Sequence, residues 1–217
     1  MTQTCGGGYA AGMPRSGAEA RDRLERAALE LYGERGYDQT TAADIAAHAG
    51  VAARTFFRHF ADKREVLFHV EAGLQEEMAR ALAAVPDDVP PLAAMLQAFR
   101  SMAPGMEANR RLAEARHRVI AATPALRERE LAKAAGMAAV VAAGLRARGL
   151  SEWHATLFAQ VGTAALGHAV HAWTADPSTD YDDLVVRTFD ALRELADPEP
   201  GARPGSVARP GQRRRGG

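Results

Sequence analysis

Between Ala53 and Lys63 the chain reads ARTFFRHFADK, and its polar side chains are of the kinds that read or hold a polyanion. Arg54 can donate a bidentate pair of N–H groups to O6 and N7 of a guanine, the commonest base-specific contact, and Thr55 suits a phosphate oxygen or a thymine methyl. From Gly50 to Arg64, the cations Arg54, Arg58, Lys63 and Arg64 are set against Asp62 alone. Over the whole chain, 27 Lys and Arg balance 27 Asp and Glu among 217 residues. A formal charge of zero argues against non-specific wrapping of nucleic acid, but not against a local basic patch.

Those side chains need a presenting element. Thr41 to Phe60, TAADIAAHAGVAARTFFRHF, predicts a helix, a tight turn at Ala49-Gly50-Val51 and a second short helix. Ile45, Ala46 and Ala49 on the first helix, with Val51, Phe56 and Phe60 on the second, fall where two steeply crossing helices pack. Gly50 sits in the turn, where a positive φ is cheap only for glycine. The second helix keeps an outer face of Ala53, Arg54, Thr55, Arg58 and His59, which suits a helix-turn-helix with its second helix in the major groove. Thr41 caps the first helix and Asp44 complements its positive end, where a DNA phosphate would also find free N–H groups. Upstream, Ala18 to Arg35 predicts a helix with Leu24, Ala27, Ala28, Leu31 and Tyr32 on one face, closed by Gly36. Downstream, Asp62-Lys63-Arg64-Glu65 reads as a helix start. Val66, Leu67, Val70, Leu74, Met78 and Leu82 then form a stripe ending near Val85, roughly 22 residues or about 33 Å at ~1.5 Å per residue. Such a helix is a candidate lever between this unit and whatever follows.

The segment from Leu24 to Leu67 resembles the DNA-binding domain of the TetR family of bacterial transcriptional repressors. The residues that carry the resemblance are Gly36-Tyr37, Thr41, Asp44-Ile45-Ala46, Ala49-Gly50-Val51, Thr55-Phe56-Phe57-Arg58-His59-Phe60 and Lys63. It covers about a fifth of the chain closely; beyond it only length and helical content are similar. The resemblance implies a reading set of Thr41, Ala53, Arg54, Thr55, Phe57, Arg58, His59 and Lys63, with Phe57 and Lys63 at the positions that grip the phosphate backbone. Two departures stand out. Phe57 replaces the usual tyrosine and has no hydroxyl to donate, and Ala52 stands where a serine often caps the second helix.

The remainder predicts an all-α chain of about nine helices, with breaks at Pro86–Pro91, Pro104-Gly105, Thr123-Pro124, Gly149 and Asp176-Pro177. Thr123, Ser151 and Asp180 are read as caps. The domain expectation is a flexible arm over 1–17, a DNA-binding domain over 18–68, an effector-binding and dimerisation domain over 69–197, and a disordered Pro/Gly/Arg tail over 198–217. The last two helices carry small residues (Gly162, Ala164, Ala165, Gly167) and apolar ones, with Leu157, Val161, Ala165, Val170, Leu184 and Leu192 as a candidate homodimer face. A symmetric pair would demand a near-palindromic double-stranded operator. Met95, Phe99, Met102, Ile120, Met137, Phe158 and Trp173, with Arg116 and His117, are candidates to enclose a small apolar or amphipathic effector. Such a stripe is more often plain core; the family's habit of binding inducers there shifts the reading, and methionines suit an adaptable cavity. The run around Ile120 is loosely similar to members that bind acyl-CoA-like compounds.

Other chemistries find little support. Cys5 is the single cysteine, which excludes an internal disulfide and a thiolate zinc site. His168 and His171 are spaced as metal ligands can be but have no acid or Cys companion nearby in sequence. No phosphate loop, nucleophile elbow or HExxH occurs, so neither an enzyme nor a cofactor is expected. No apolar run approaches the ~18 residues of a membrane helix, and a cytoplasmic protein is expected. The rival readings are a helical ligand-binding or scaffold protein that no longer reads DNA, and an α-helical enzyme.

Overall fold

The computed structural model describes residues 13–196, which form ten α-helices and one 3-10 turn and contain no strand among the described residues. The helices are α1 Met13–Arg35, α2 Ala42–His48, α3 Ala53–His59, α4 Glu71–Ala83, α5 Pro91–Ser101, α6 Ala103–Ala108, α7 Arg110–Ala122, α8 Pro124–Ala147, α9 Glu152–Ala175 and α10 Tyr181–Ala196. The all-α class holds. Helix α1 begins at Met13, inside the stretch expected as an arm; the rest of that arm and the C-terminal tail lie outside the described residues.

The head is built from α1 to α3. Leu24, Ala27, Ala28, Leu31 and Tyr32 of α1 are buried against Ile45 and Ala46 of α2 and Phe56 and Phe60 at α3. Gly36 and Gly50 take φ of +83° and +67°, so both turns need a residue without Cβ. The floor of this core is supplied from far along the chain, by Val119 and Ile120 of α7 and Leu126 of α8.

The long helix expected from Asp62 to Val85 does not form. Val66, Leu67 and Phe68 are 0%, 0% and 2% exposed. Three consecutive residues cannot all face inward from one straight helix, whose neighbours diverge by about 100°. The chain therefore turns: the Asp62 carboxylate accepts from the N–H of Arg64 and Glu65, Glu65–Leu67 is a 3-10 turn, and α4 starts only at Glu71. Val70, expected on the apolar stripe, is exposed.

Two further expectations are corrected downstream. Pro104-Gly105 does not merely stop a helix; with Pro104 in its first turn, where a missing N–H costs nothing, α6 forms and adds one element to the expected nine. Thr123 precedes α8 without a side-chain capping bond. Ser151 and Asp180 do cap, accepting from the N–H of His154 and Asp183.

The body packs α9 against α8 and α10, with α4 and α5 completing a core that contains Met78, Leu82, Met95, Phe99, Leu145, Trp173, Tyr181 and Phe189. A Cβ on Gly162 would overlap the methyl end of Met95, so α5 and α9 meet closely there and a larger residue would have to displace that side chain. Two arginines fasten the loops. Arg148 donates to the carbonyls of Val85, Pro86 and Val89, fixing the proline-rich break. Arg110 donates to the carbonyls of Trp173, Asp176 and Thr179 and lies 4.8 Å over the Trp173 ring, while Glu107 accepts from Trp173 Nε1 and Tyr181 N–H. Arg110→Ala would strip partners from that loop and should lower stability by roughly 1–3 kcal/mol in urea unfolding followed by circular dichroism. Arg193→Ala, in an exposed pair with Asp190 at 2.7 Å, should stay within about 0.5 kcal/mol of the parent.

Candidate nucleic-acid interface

Helix α2 is set by a complete capping box. Thr41 N–H and Oγ1 donate to the Asp44 carboxylate at 2.9 and 2.6 Å, and Asp44 N–H donates to Thr41 Oγ1 at 3.1 Å. These bonds hold the Asp44 carboxyl below its usual range. Thr41 is exposed, but its hydroxyl is already engaged. Helix α3 starts from Ala52 in extended geometry with no side-chain cap, as its composition requires.

On α3, Phe56 is fully buried and anchors the helix, so the opposite face is turned out. Ala53, Arg54 and Arg58 are exposed and Thr55 is half-buried beside them. Neither Arg54 nor Arg58 has an ion-pair partner among the described residues. Phe57 is 61% exposed, edge-on to Phe56 at 5.3 Å. A large apolar ring held outward beside two guanidinium groups can pack on a sugar, though it has no hydroxyl to offer a phosphate.

Three members of the expected patch sit differently. Arg64 is paired with Asp62 at 2.8 Å. Lys63 turns inward, donating to the carbonyls of Tyr37 and Thr40 at 2.8 and 3.0 Å. His59 is half-buried, with Nε2 buried and unpartnered, so it does not line an open reading face; helix α1 at Gly17 lies over it.

The head meets the body around Phe68. Its ring lies 5.2 Å from the Arg116 guanidinium of α7 and 4.9 Å from that of Arg129 of α8. Arg129 in turn bonds Glu65 at 3.1 Å and Glu71 at 2.7 Å, and Arg116 bonds Glu130 at 2.9 Å. Burial dominates nearby titrations, raising the Glu25 carboxyl, 3.7 Å from His69, and lowering the Lys133 ammonium, 3.6 Å from Glu130. Sequence reasoning missed this joint; its one signal was the run Val66-Leu67-Phe68, apolar at consecutive positions.

Of the nine residues expected to enclose an effector, six gather in one core and three lie apart from it. Met95, Phe99, Met102, Met137 and Trp173 are buried in the body core with Phe158 packed at its edge, whereas Ile120 belongs to the core of the head. Arg116 serves the joint, and His117 stands edge-on to His171 at 4.7 Å, its pKa lowered first by burial and then by that neighbour. An open groove of about 580 Å³ runs instead between α8 and α9, lined by Ala138, Ala142, Thr156, Gln160, Thr163 and Gly167.

Of the expected dimer residues, Leu157 and Val161 are 39% and 42% exposed on α9. Val170, Leu184 and Leu192 are half-buried. Ala165 is buried against its own chain's core, as is Gly162. The exposed Trp153, near the start of α9, lies on the same stripe as Leu157 and was not anticipated.

His59 generates a pH prediction. Burial, then Arg58 and Arg21, hold its folded-state pKa below the ordinary 6.5. As pH falls below 6.5 the unfolded chain takes up the proton first, so stability is lost through that window and the loss levels off below the folded value. His59→Gln should shrink the difference in urea unfolding free energy between about pH 7.5 and about pH 5.5. An unchanged difference would show that the ring is solvated in solution.

Comparison with known proteins places this geometry. Residues 25–70 match bacterial regulatory proteins of the tetR family, and residues 89–197 match the MftR C-terminal domain. The HTH-type transcriptional regulator TcmR of Streptomyces glaucescens is 45% identical over 82 residues, which cover 38% of this chain and only 36% of TcmR. The crystal structure of Thermus thermophilus FadR, a TetR-family repressor in complex with lauroyl-CoA, is 25% identical, spans 88% of this chain and all of that one, and has a TM-score of 0.50. SmeT, the repressor of the Stenotrophomonas maltophilia multidrug efflux pump SmeDEF, shares the fold at 20% identity, spanning 89% of this chain and all of its own, with a TM-score of 0.57.

Proposed function

The chain belongs to the TetR family of bacterial regulatory proteins, and on that premise we propose that it represses transcription as a homodimer released from its operator by a small-molecule effector. The observation that carries this reading is the outer face of α3. Arg54 and Arg58 project from a helix whose inner face is locked by fully buried Phe56, which is the geometry a major-groove reader needs. In this reading residues 18–68 present the reading set, Arg54 and Thr55 contact bases, and Ala53 allows close approach. Arg58 and Phe57 flank the backbone. Residues 69–197 bind the effector and the second copy.

Dimerisation rests on Trp153, Leu157 and Val161, apolar and exposed in succession along α9, with half-buried Leu184 and Leu192 of α10 as further candidates. Two reading helices held by one symmetric pair would meet the same face of duplex DNA about one turn, ~34 Å, or a multiple apart, hence a near-palindromic operator. The effector is taken to be apolar or amphipathic, in keeping with the lauroyl-CoA bound by FadR. Entering a core rich in methionine, it would part helices that the Phe68 joint connects to the head. A coupling of about 1–3 kcal/mol suffices to change operator occupancy 5- to 150-fold, provided the effector prefers the DNA-incompetent state.

A mobility-shift assay with DNA upstream of the protein's own gene tests the reading. Salt-sensitive binding is expected, and Arg54→Ala should relax base preference at its position, at a cost of about 1–3 kcal/mol for the preferred site. Failure of the parent to bind any DNA above non-specific level would favour the rival reading, a ligand-binding protein that no longer reads DNA. In sedimentation, Leu157→Glu combined with Val161→Glu should convert dimer to monomer with helicity unchanged; a persistent dimer would place the interface elsewhere.

A further inference from the structure

The family resemblance gives Lys63 to the DNA phosphate backbone, but its ammonium is occupied inside the protein. Nζ donates to the Tyr37 carbonyl at 2.8 Å and to the Thr40 carbonyl at 3.0 Å, and stands 4.2 Å over the Tyr37 ring. That uses two of its three donors on backbone oxygens and adds a cation–π contact. The main chain of Lys63 is held as well, since its carbonyl accepts from Tyr32 Oη at 2.6 Å. Thr40, buried next to it, turns its hydroxyl back to the Gly36 carbonyl at 2.9 Å.

The segment spanned by these bonds is the loop from Gly36 to Thr40, and the next residue is Thr41, which caps α2. A loop that enters a helix needs its carbonyls satisfied, and this one has little secondary structure to do so. Lys63 does it from the far side of α3, so one side chain joins the segment before the reading unit to the segment after it. Only its third N–H is left for another acceptor, and swinging the ammonium out to meet a phosphate squarely would cost both carbonyl bonds and the ring contact.

We propose that Lys63 is a positioning residue, a brace that fixes how α2 and α3 are presented, rather than a contact to DNA. The inference deepens the DNA-binding reading above and rests on it for its second test, while the first test needs no DNA. In hydrogen exchange followed by mass spectrometry on the full chain, Lys63→Ala should accelerate exchange in peptides covering 36–48 about tenfold or more, as loss of local protection does. Peptides of α9 should be unchanged. In operator binding across a salt series, the same variant should lose affinity about equally at every salt concentration, with the slope of log affinity against log salt kept. Arg58→Ala, which removes an exposed cation, is the control that should reduce that slope if Arg58 neutralises a phosphate. Unchanged exchange over 36–48, or a slope for Lys63→Ala lower by about 0.9, the value of one neutralised phosphate, overturns the proposal. If the parent binds no DNA, the reading of function fails while the exchange test still decides the brace.

Discussion

One aromatic ring sets where the head stands on the body. Phe68 is buried between the guanidinium groups of Arg116 and Arg129, which come from two different helices of the body. A cation over a ring is worth about 0.5–2 kcal/mol depending on desolvation, and here the same Arg129 also ties Glu65 to Glu71 across the turn. The burial of Val66, Leu67 and Phe68 in succession forces that turn, and the turn in turn aims α4 into the body. Helices α7 and α8 are therefore tied to the head by these partly buried charged contacts and by the apolar floor beneath it, and not by a straight rod.

The reading unit was legible because its determinants are local. A glycine with positive φ, a threonine–aspartate capping box and an apolar residue every third or fourth position specify two short helices and their crossing without help from the rest of the chain. The outward direction of Arg54 and Arg58 follows once Phe56 is buried. The inward turn of Lys63 and the partial covering of His59 do not follow, since they depend on the distant Tyr37 loop and on α1. The same reason explains the broken helix after Asp62. Its sequence has a good start signal, and only the competing demand of three adjacent apolar residues, satisfied by distant helices, overrides it.

The body was legible in class but not in its site. Methionine, phenylalanine and tryptophan at helical spacing say that a face is apolar, and they say nothing of whether it closes on itself or around a ligand. Here Met95 fills the space left by Gly162, and Trp173 is held by Arg110 and Glu107, so these residues are engaged with one another. Small residues on α9 were likewise ambiguous. Gly162 and Ala165 serve the chain's own core, while Leu157 and Val161, one turn apart on the next face, remain outside. Separating the two faces required knowing which neighbours α9 has.

The floor beneath the head has an implication for how such proteins diversify. Val119, Ile120 and Leu126 lie near the corner between α7 and α8, yet they complete the apolar interior under α1 and the reading helices. A boundary drawn at residue 68 thus cuts along the chain but through a core. A chimera joining this head to another regulator's sensor would leave Leu24, Phe56 and Leu67 resting on foreign side chains, and the graft would hold only if that corner travelled with it.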